Sequence, residues 1–285
     1  MLRDSEEMYG VRIVRDRVYA ETPTRPLMLD LALPDPPPDG RLPTVLFLHG
    51  GGWYTGDKDP TVNHFLAARG YATASAQYRF SREARFPASI HDVKAAVRWL
   101  RLNADAYHID PDRIGVWGHS AGGHMAAFLG TSAGLAAYEG AANPGADASV
   151  QAVMTVSAIT WLLDGKPRPA DSPTGRLLGA PPADVPDLAR TFSPVTHIRP
   201  GQDLPPFLIL HGSADRVVWP RHAEFLYDAL NRAGADVTYI PVSGGDHLLT
   251  GQWAVVEHLA LHFFDRVLGG GGVSPRVYRN YSAEE

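Results

Sequence analysis

Four short stretches of this sequence carry residue types that could perform covalent chemistry together. In the first, Gly118-His119-Ser120-Ala121-Gly122, a serine stands between two glycines, with the apolar run RIGVWG before it and an alanine-containing run behind it. A serine hydroxyl is a weak nucleophile on its own and needs an adjacent base. Where a strand turns sharply into a helix, Gly-x-Ser-x-Gly leaves the hydroxyl exposed at the strand's C-terminal end, and the turn is so tight that its flanking positions tolerate little beyond hydrogen. The helix N-terminus behind it offers unpaired N–H groups to a developing negative charge. In the second stretch, His49-Gly50-Gly51-Gly52-Trp53, three consecutive glycines follow the apolar TVLFL. Backbone N–H groups can there approach a carbonyl oxygen that side chains would block, so Gly51, Gly52 and Ala121 are the expected oxyanion donors.

The third and fourth stretches supply an acid and a base in the order this chemistry uses. Gly212-Ser213-Ala214-Asp215 follows PPFLILHG, and Gly244-Gly245-Asp246-His247 follows DVTYIPV. His247 would take the Ser120 proton and return it to a leaving group, while Asp215 holds the imidazole in one tautomer and stabilises its cation. Asp246 is the rival acid, but adjacent loop residues generally point apart, which favours Asp215. Most of the 12 histidines need no chemistry. His91, His108 and His222 are expected to face solvent or cap, and His49 and His211 to hydrogen-bond neighbouring loops. His258 and His262 form an HxxxH pair on the last helix, but Leu259 occupies the position where a metalloprotease carries its glutamate, so no metal is expected. Trp53, Tyr54 and Trp161, with His119 of the elbow, are the expected substrate contacts; for the aromatics, ordinary core packing weighs about equally.

Strands and helices in alternation must hold these loops. VRIVRDRVYA and PLMLDLALP read as two strands joined by a turn at Thr22 to Arg25, and the Pro-rich PDPPPDGRLP leads over the surface into TVLFLHG. Next come the strand YATASAQY, a helix over about 89–103, the strand RIGVWG, a helix after Ser120 and the strand QAVMTVSA. Then follow PPFLILHG, a helix over about 221–233, DVTYIPV and a helix over about 253–268. In the helix over 89–103, Ile90, Val93, Val97 and Leu100 make one apolar stripe, and Ser89 with Asp92 resembles a capping box. This alternation predicts a mostly parallel sheet of about eight strands with helices on both faces. The weakly periodic stretch 159–204 reads as a small lid-like insertion. The chain is thus read as one domain over 1–268 and a flexible tail over 269–285.

Composition narrows the partners. The 285 residues are 45% hydrophobic and 20% charged, with a net charge of -5 and no Lys/Arg stripe, so nucleic acid is a poor partner. No apolar run reaches membrane-spanning length, and MLRDSEEMYG lacks the basic-then-apolar layout of a leader, so the expected location is cytoplasmic, with secretion after leader removal still compatible. The absence of cysteine excludes disulfides, thiolate chemistry and Cys-ligated metals. No cofactor is expected, and the sequence allows a homodimer.

Taken with their order, HGGGW, GHSAG, HGSAD and GGDH make the chain, from about Tyr19 to Val267, resemble the α/β-hydrolase fold serine esterases and lipases. Within that group HGGGWYTGDK, FPASIHDVKAAVRWLRLNA and IDPDRIGVWGHSAGGH are similar to bacterial carboxylesterases related to feruloyl and acetylxylan esterases. The resemblance implies hydrolysis of short-chain acyl or feruloyl-type esters, small or polymer-linked, through an acyl-enzyme on Ser120. Ile159-Thr160-Trp161 departs from it, because related esterases often carry a Gly-Pro-x-Asp turn there. Two alternatives use the same fold: an arylformamidase or other amidase on the same triad, and a catalytically silent ligand-binding protein.

Overall fold

The computed structural model describes residues 8–269; the expected flexible tail lies, apart from Gly269, outside the described residues. Eight strands form one sheet: β1 (Gly10–Glu21), β2 (Pro26–Asp35), β3 (Leu42–Leu48), β4 (Ala72–Ala76), β5 (Ile109–His119), β6 (Ala152–Val156), β7 (Phe207–Gly212) and β8 (Val237–Val242). Their order is β1-β2-β4-β3-β5-β6-β7-β8. The pairs β1/β2 and β2/β4 are antiparallel, and every pair from β4 across to β8 is parallel. Mostly parallel with helices on both faces, this is the sheet that the strand and helix alternation predicts.

Strand periodicity explains why the central strands read as unbroken apolar runs. Leu46, Leu48, Ile114, Val116, Val153, Phe207 and Ile209 face one layer, which contains α2 (Ala88–Leu102), α3 (Ala121–Thr131) and α6 (Arg221–Ala233). Their neighbours Val45, Phe47, Trp117, Met154, Leu208 and Leu210 face the other, which contains α1 (His64–Ala67) and α7 (Trp253–Leu268). A strand covered on both faces has no side to leave polar. Because β3, β5, β7 and β8 run parallel, the glycine-rich loop, the elbow, and the acid and base loops all leave the sheet at one edge.

The stretch between β6 and β7 folds two short helices, α4 (Pro173–Leu178) and α5 (Pro186–Thr191). Leu177, Leu178, Ala189 and Phe192 enter the first core layer, and the Phe192 ring lies 4.1 Å from that of His124 on α3. Two local expectations are corrected. Ser89 and Asp92 form no capping box: Pro87 is the cap residue of α2, and Asp92 instead accepts from the Arg79 backbone N–H (2.9 Å) and its guanidinium (2.6 Å). A charged donor carried in by the connection after β4 outcompetes a local amide for that carboxylate. His222 is buried rather than solvent-facing: its Nε2–H donates to Asp164 (3.0 Å), and its Nδ1 accepts from the Thr160 amide (3.3 Å). It thereby joins α6 to the start of the insertion.

Candidate active site

Ser120 sits where β5 becomes α3, with φ 56° and ψ -117°, a region costly for a residue with a side chain. Its amide donates to Val156 O (2.8 Å), fixing the turn against β6. Both glycines of the elbow are sterically required. A side-chain carbon on Gly118 would stand 2.7 Å from Leu48 O; one on Gly122 would stand 2.6 Å from His49 O and closer still to Leu48 O. The close pass of α3 over the end of β3 therefore admits hydrogen only.

The structure brings the three proposed reacting residues together. His247 Nε2 lies 3.0 Å from Ser120 Oγ, and His247 Nδ1 lies 2.7 Å from Asp215 Oδ2. With Nδ1–H donating to the carboxylate, the Nε2 lone pair is left to accept the serine proton. Asp215 is saturated with donors: Oδ1 accepts from the Val217 (2.8 Å) and Val218 (2.9 Å) amides, and Oδ2 also accepts from His211 Nε2–H (3.2 Å). His211 Nε2–H simultaneously donates to Val218 O (3.0 Å). Burial alone would raise the Asp215 carboxyl, but the hydrogen bonds from His211, His247 and Val218 outweigh it and hold the group well below the usual carboxylate range. Asp246 turns away, accepting from the Thr250 amide (2.9 Å) and hydroxyl (2.8 Å). The acid and base loops are clamped together by Ala214 N–H on Gly245 O (2.9 Å) and Gly244 N–H on Ser213 Oγ (2.8 Å).

The donor side is equally ordered. Gly51, Gly52 and Trp53 all have positive φ (102°, 59° and 60°), and Gly51 O closes the turn by accepting from Tyr54 and Thr55 N–H (3.1 and 3.2 Å). The amides of Gly51 and Gly52 donate to no acceptor among the described residues. In α3 the first bond is made by His124 N–H to Ser120 O (2.9 Å), so the Ala121 amide is also free. Under the loop Tyr78, fully buried, stacks on His49 at 4.3 Å and donates its hydroxyl toward His49 O (2.9 Å) and Gly50 O (3.2 Å). Nothing in the sequence marked Tyr78, because an aromatic at a strand end is the ordinary residue there.

Of the expected substrate contacts, only Tyr54 stands at an open surface, 40% exposed. Trp53 is wholly buried, packed edge-on against His124 (5.2 Å) and Phe192 (5.5 Å), because its positive φ turns the side chain under the loop into the core. His119 is likewise engaged elsewhere, since its Nε2–H donates to the His247 carbonyl (2.7 Å) and its polar edge is spent on the loop that carries the base. Trp161 is half-buried at the start of the insertion, where its amide approaches His222 Nδ1 (3.4 Å). The His258 and His262 rings meet edge-on at 4.2 Å, and among the described residues no group of three or more His, Asp or Glu could hold a metal ion. No helix among them is long and apolar enough to cross a membrane.

Known proteins resemble this chain in sequence and in fold. Esterase LipC of Mycobacterium tuberculosis (strain ATCC 25618 / H37Rv) is 30% identical over 238 residues, covering 81% of this chain and 58% of its own length. Esterase LipQ of the same strain is 31% identical over 224 residues, 75% of this chain and 52% of its own. The chain thus spans about half the length of the curated relatives it matches. Among solved structures, a truncated form of a carbohydrate esterase from gut microbiota superposes with a TM-score of 0.84 at 28% identity, covering 93% of this chain and 99% of that one. The apo form of Thermogutta terrifontis esterase 2 gives 0.73 at 26% identity, covering 96% and 100%. The BD-FAE family matches residues 29–230, from β2 into α6, a span that holds the glycine loop, the elbow and Asp215 while leaving His247 beyond it. That match covers most of the sheet together with the glycine loop and the elbow, and the chain belongs to the BD-FAE family, with the α/β-hydrolase fold.

Proposed function

We propose that the chain is a carboxylic-ester hydrolase working through an acyl-enzyme on Ser120. The observation that carries this reading is the continuous line from Asp215 Oδ2 through His247 to Ser120 Oγ, at 2.7 and 3.0 Å, together with the Gly51, Gly52 and Ala121 amides, which are unpaired among the described residues. In the first half-reaction Ser120 Oγ bonds to the ester carbonyl carbon and passes its proton to His247 Nε2. The carbonyl oxygen, now anionic, is held by the amides of Gly51, Gly52 and Ala121. Collapse breaks the bond to the alcohol oxygen, which leaves with the His247 proton. Water then repeats the sequence with His247 as base, releasing the acid and restoring the serine.

For substrate we favour short acyl or feruloyl-type aromatic esters, including those carried on a carbohydrate. Similarity to a structure titled as a carbohydrate esterase supports the carbohydrate part. Exposed apolar groups next to the reacting residues support an aromatic or acyl contact: Tyr54 after the glycine loop, Val217 (60% exposed) and Trp219 (42%) after Asp215, and Leu248 (58%) after His247. The test is a hydrolysis panel of p-nitrophenyl acetate through decanoate, methyl ferulate, acetylated xylan and N-formylkynurenine, run with the original chain and Ser120→Ala. Ester turnover that falls by roughly 10⁴ in a variant with an unchanged melt is the expected result. Turnover of the formamide alone would replace the ester reading by an amidase, and an active Ser120→Ala would remove the nucleophile.

A further inference from the structure

Resting on the ester-hydrolase reading above, we infer that the substrate is itself acidic: a carboxylate carried on the ester occupies an arginine-lined cleft beside the oxyanion loop. The cleft, about 390 Å³, is lined among others by Tyr54, Ser81, Arg82, Arg85, Gly175 and Arg176. Its arginines come from two distant pieces of chain, the connection after β4 and helix α4 of the insertion, so their convergence is a product of the fold.

Those guanidiniums are short of partners. Among the described residues none of the three is within ion-pair distance of a carboxylate. Glu83, the acid nearest in sequence, is committed to Arg25 (2.7 Å) and to the Phe80 amide (2.8 Å). Arg82 donates to Tyr54 O (3.0 Å), which orients it, while Arg85 and Arg176 donate no side-chain hydrogen bond among the described residues. Arg85 lies flat against Gly179, a residue whose missing side chain makes the room, and Arg176 sits 5.8 Å from the Tyr54 ring centroid. Three guanidiniums without an ion pair among the described residues therefore line one cleft; of them Arg82 also lies over the Phe80 ring, at 4.9 Å, and within electrostatic reach of Glu83. A guanidinium fork matches a carboxylate in two parallel hydrogen bonds, which neither a hydroxyl nor an alkyl chain can supply.

The cleft adjoins the chemistry. A side-chain carbon on Gly52, an oxyanion donor, would lie 3.0 Å from the Tyr54 ring and 3.1 Å from Pro173, the first residue of α4. Tyr54 thus touches both Gly52 and the cleft, and a substrate whose carbonyl sits at Gly52 reaches the arginines along the Tyr54 ring.

The experiment compares two matched ester pairs, one anionic and one neutral in each, in the original chain and in the Arg85→Gln/Arg176→Gln double variant. Both side chains are exposed, so folding does not depend on them. One pair places the carboxylate on the acyl side (p-nitrophenyl hydrogen adipate against p-nitrophenyl hexanoate), the other on the leaving group (4-acetoxybenzoate against its methyl ester). The readout is the anionic-to-neutral ratio of kcat/KM. The inference expects that ratio to drop by about tenfold or more in the variant for one pair, and to shrink in the original chain as salt screens the contact. Ratios unchanged by the double substitution in both pairs would overturn it while leaving ester hydrolysis standing. No turnover of any of the four esters would overturn the hydrolase reading, and the inference with it.

Discussion

Replacing Asp215 by asparagine tests the proposed mechanism at its most constrained atom. The two carboxylate oxygens face four N–H donors: the amides of Val217 and Val218 on Oδ1, and the rings of His211 and His247 on Oδ2. An asparagine has one oxygen, and the two backbone amides cannot move, so that oxygen faces them and the NH₂ faces the rings. His211 cannot adapt, because its Nε2–H is also committed to Val218 O at 3.0 Å. His247 can: it takes the tautomer in which Nδ1 accepts from the NH₂ and Nε2 carries the proton. That proton then points at Ser120 Oγ, and the base is lost. By the same tautomer logic in other serine hydrolases, kcat should fall by roughly 10⁴, or ~5 kcal/mol in barrier, with KM little changed. The unrelieved clash with His211 should cost about 1–3 kcal/mol of stability, leaving a folded protein. The assay is steady-state hydrolysis of p-nitrophenyl acetate with a urea melt of the same sample, and Asp246→Asn is the control, expected within about twofold of the original kcat because its carboxylate serves Thr250. Retention of kcat within tenfold in Asp215→Asn, or its collapse in Asp246→Asn, would refute the assignment.

Gly122→Ala should not accumulate as folded protein, since the new methyl would enter the space of the Leu48 and His49 carbonyls, and a soluble variant with an unchanged melt would contradict that packing. Tyr78→Phe removes the hydroxyl that reaches His49 O and Gly50 O, so stability should drop by about 1–3 kcal/mol and kcat by about tenfold with KM nearly constant; an unaltered kcat would show that the loop needs no buttress. Burial pushes the His124 imidazole down to about 3. The unfolded imidazole titrates near 6.5, so as pH falls below that value the unfolded state binds the proton first, and stability drops by ~1.4 kcal/mol per pH unit from this group until about pH 3. Burial shifts His49, His119 and His222 in the same direction, adding to the acid lability. His124→Gln, which keeps a donor for Phe192 O, should flatten the slope of urea-melt stability between neutral pH and about pH 5, and an unchanged slope would refute the assignment.

What was legible in the sequence is what a few consecutive residues dictate by themselves. Apolar runs marked the strands, and their alternation with the segments between them marked the helices Arg221–Ala233 and Trp253–Leu268, because a strand covered on both faces has no polar side. The elbow glycines were legible for a similar reason: the crossing of α3 over β3 is steric and shows as glycine. The order of motifs along the chain was enough to nominate Ser120, Asp215 and His247, since parallel strands deliver successive loops to one edge. Only the tertiary structure decided which partner each polar or aromatic group meets. Trp53 went inward because the backbone is left-handed there, and His119 turned to the His247 carbonyl 128 residues away. Asp92 was taken by Arg79, and His222 was closed off by an aspartate of the insertion. Arg82, Arg85 and Arg176 became neighbours only once the insertion had packed against the first core layer. Such contacts join groups far apart in the chain, and their geometry follows from sheet order and helix docking, which no local window of sequence contains.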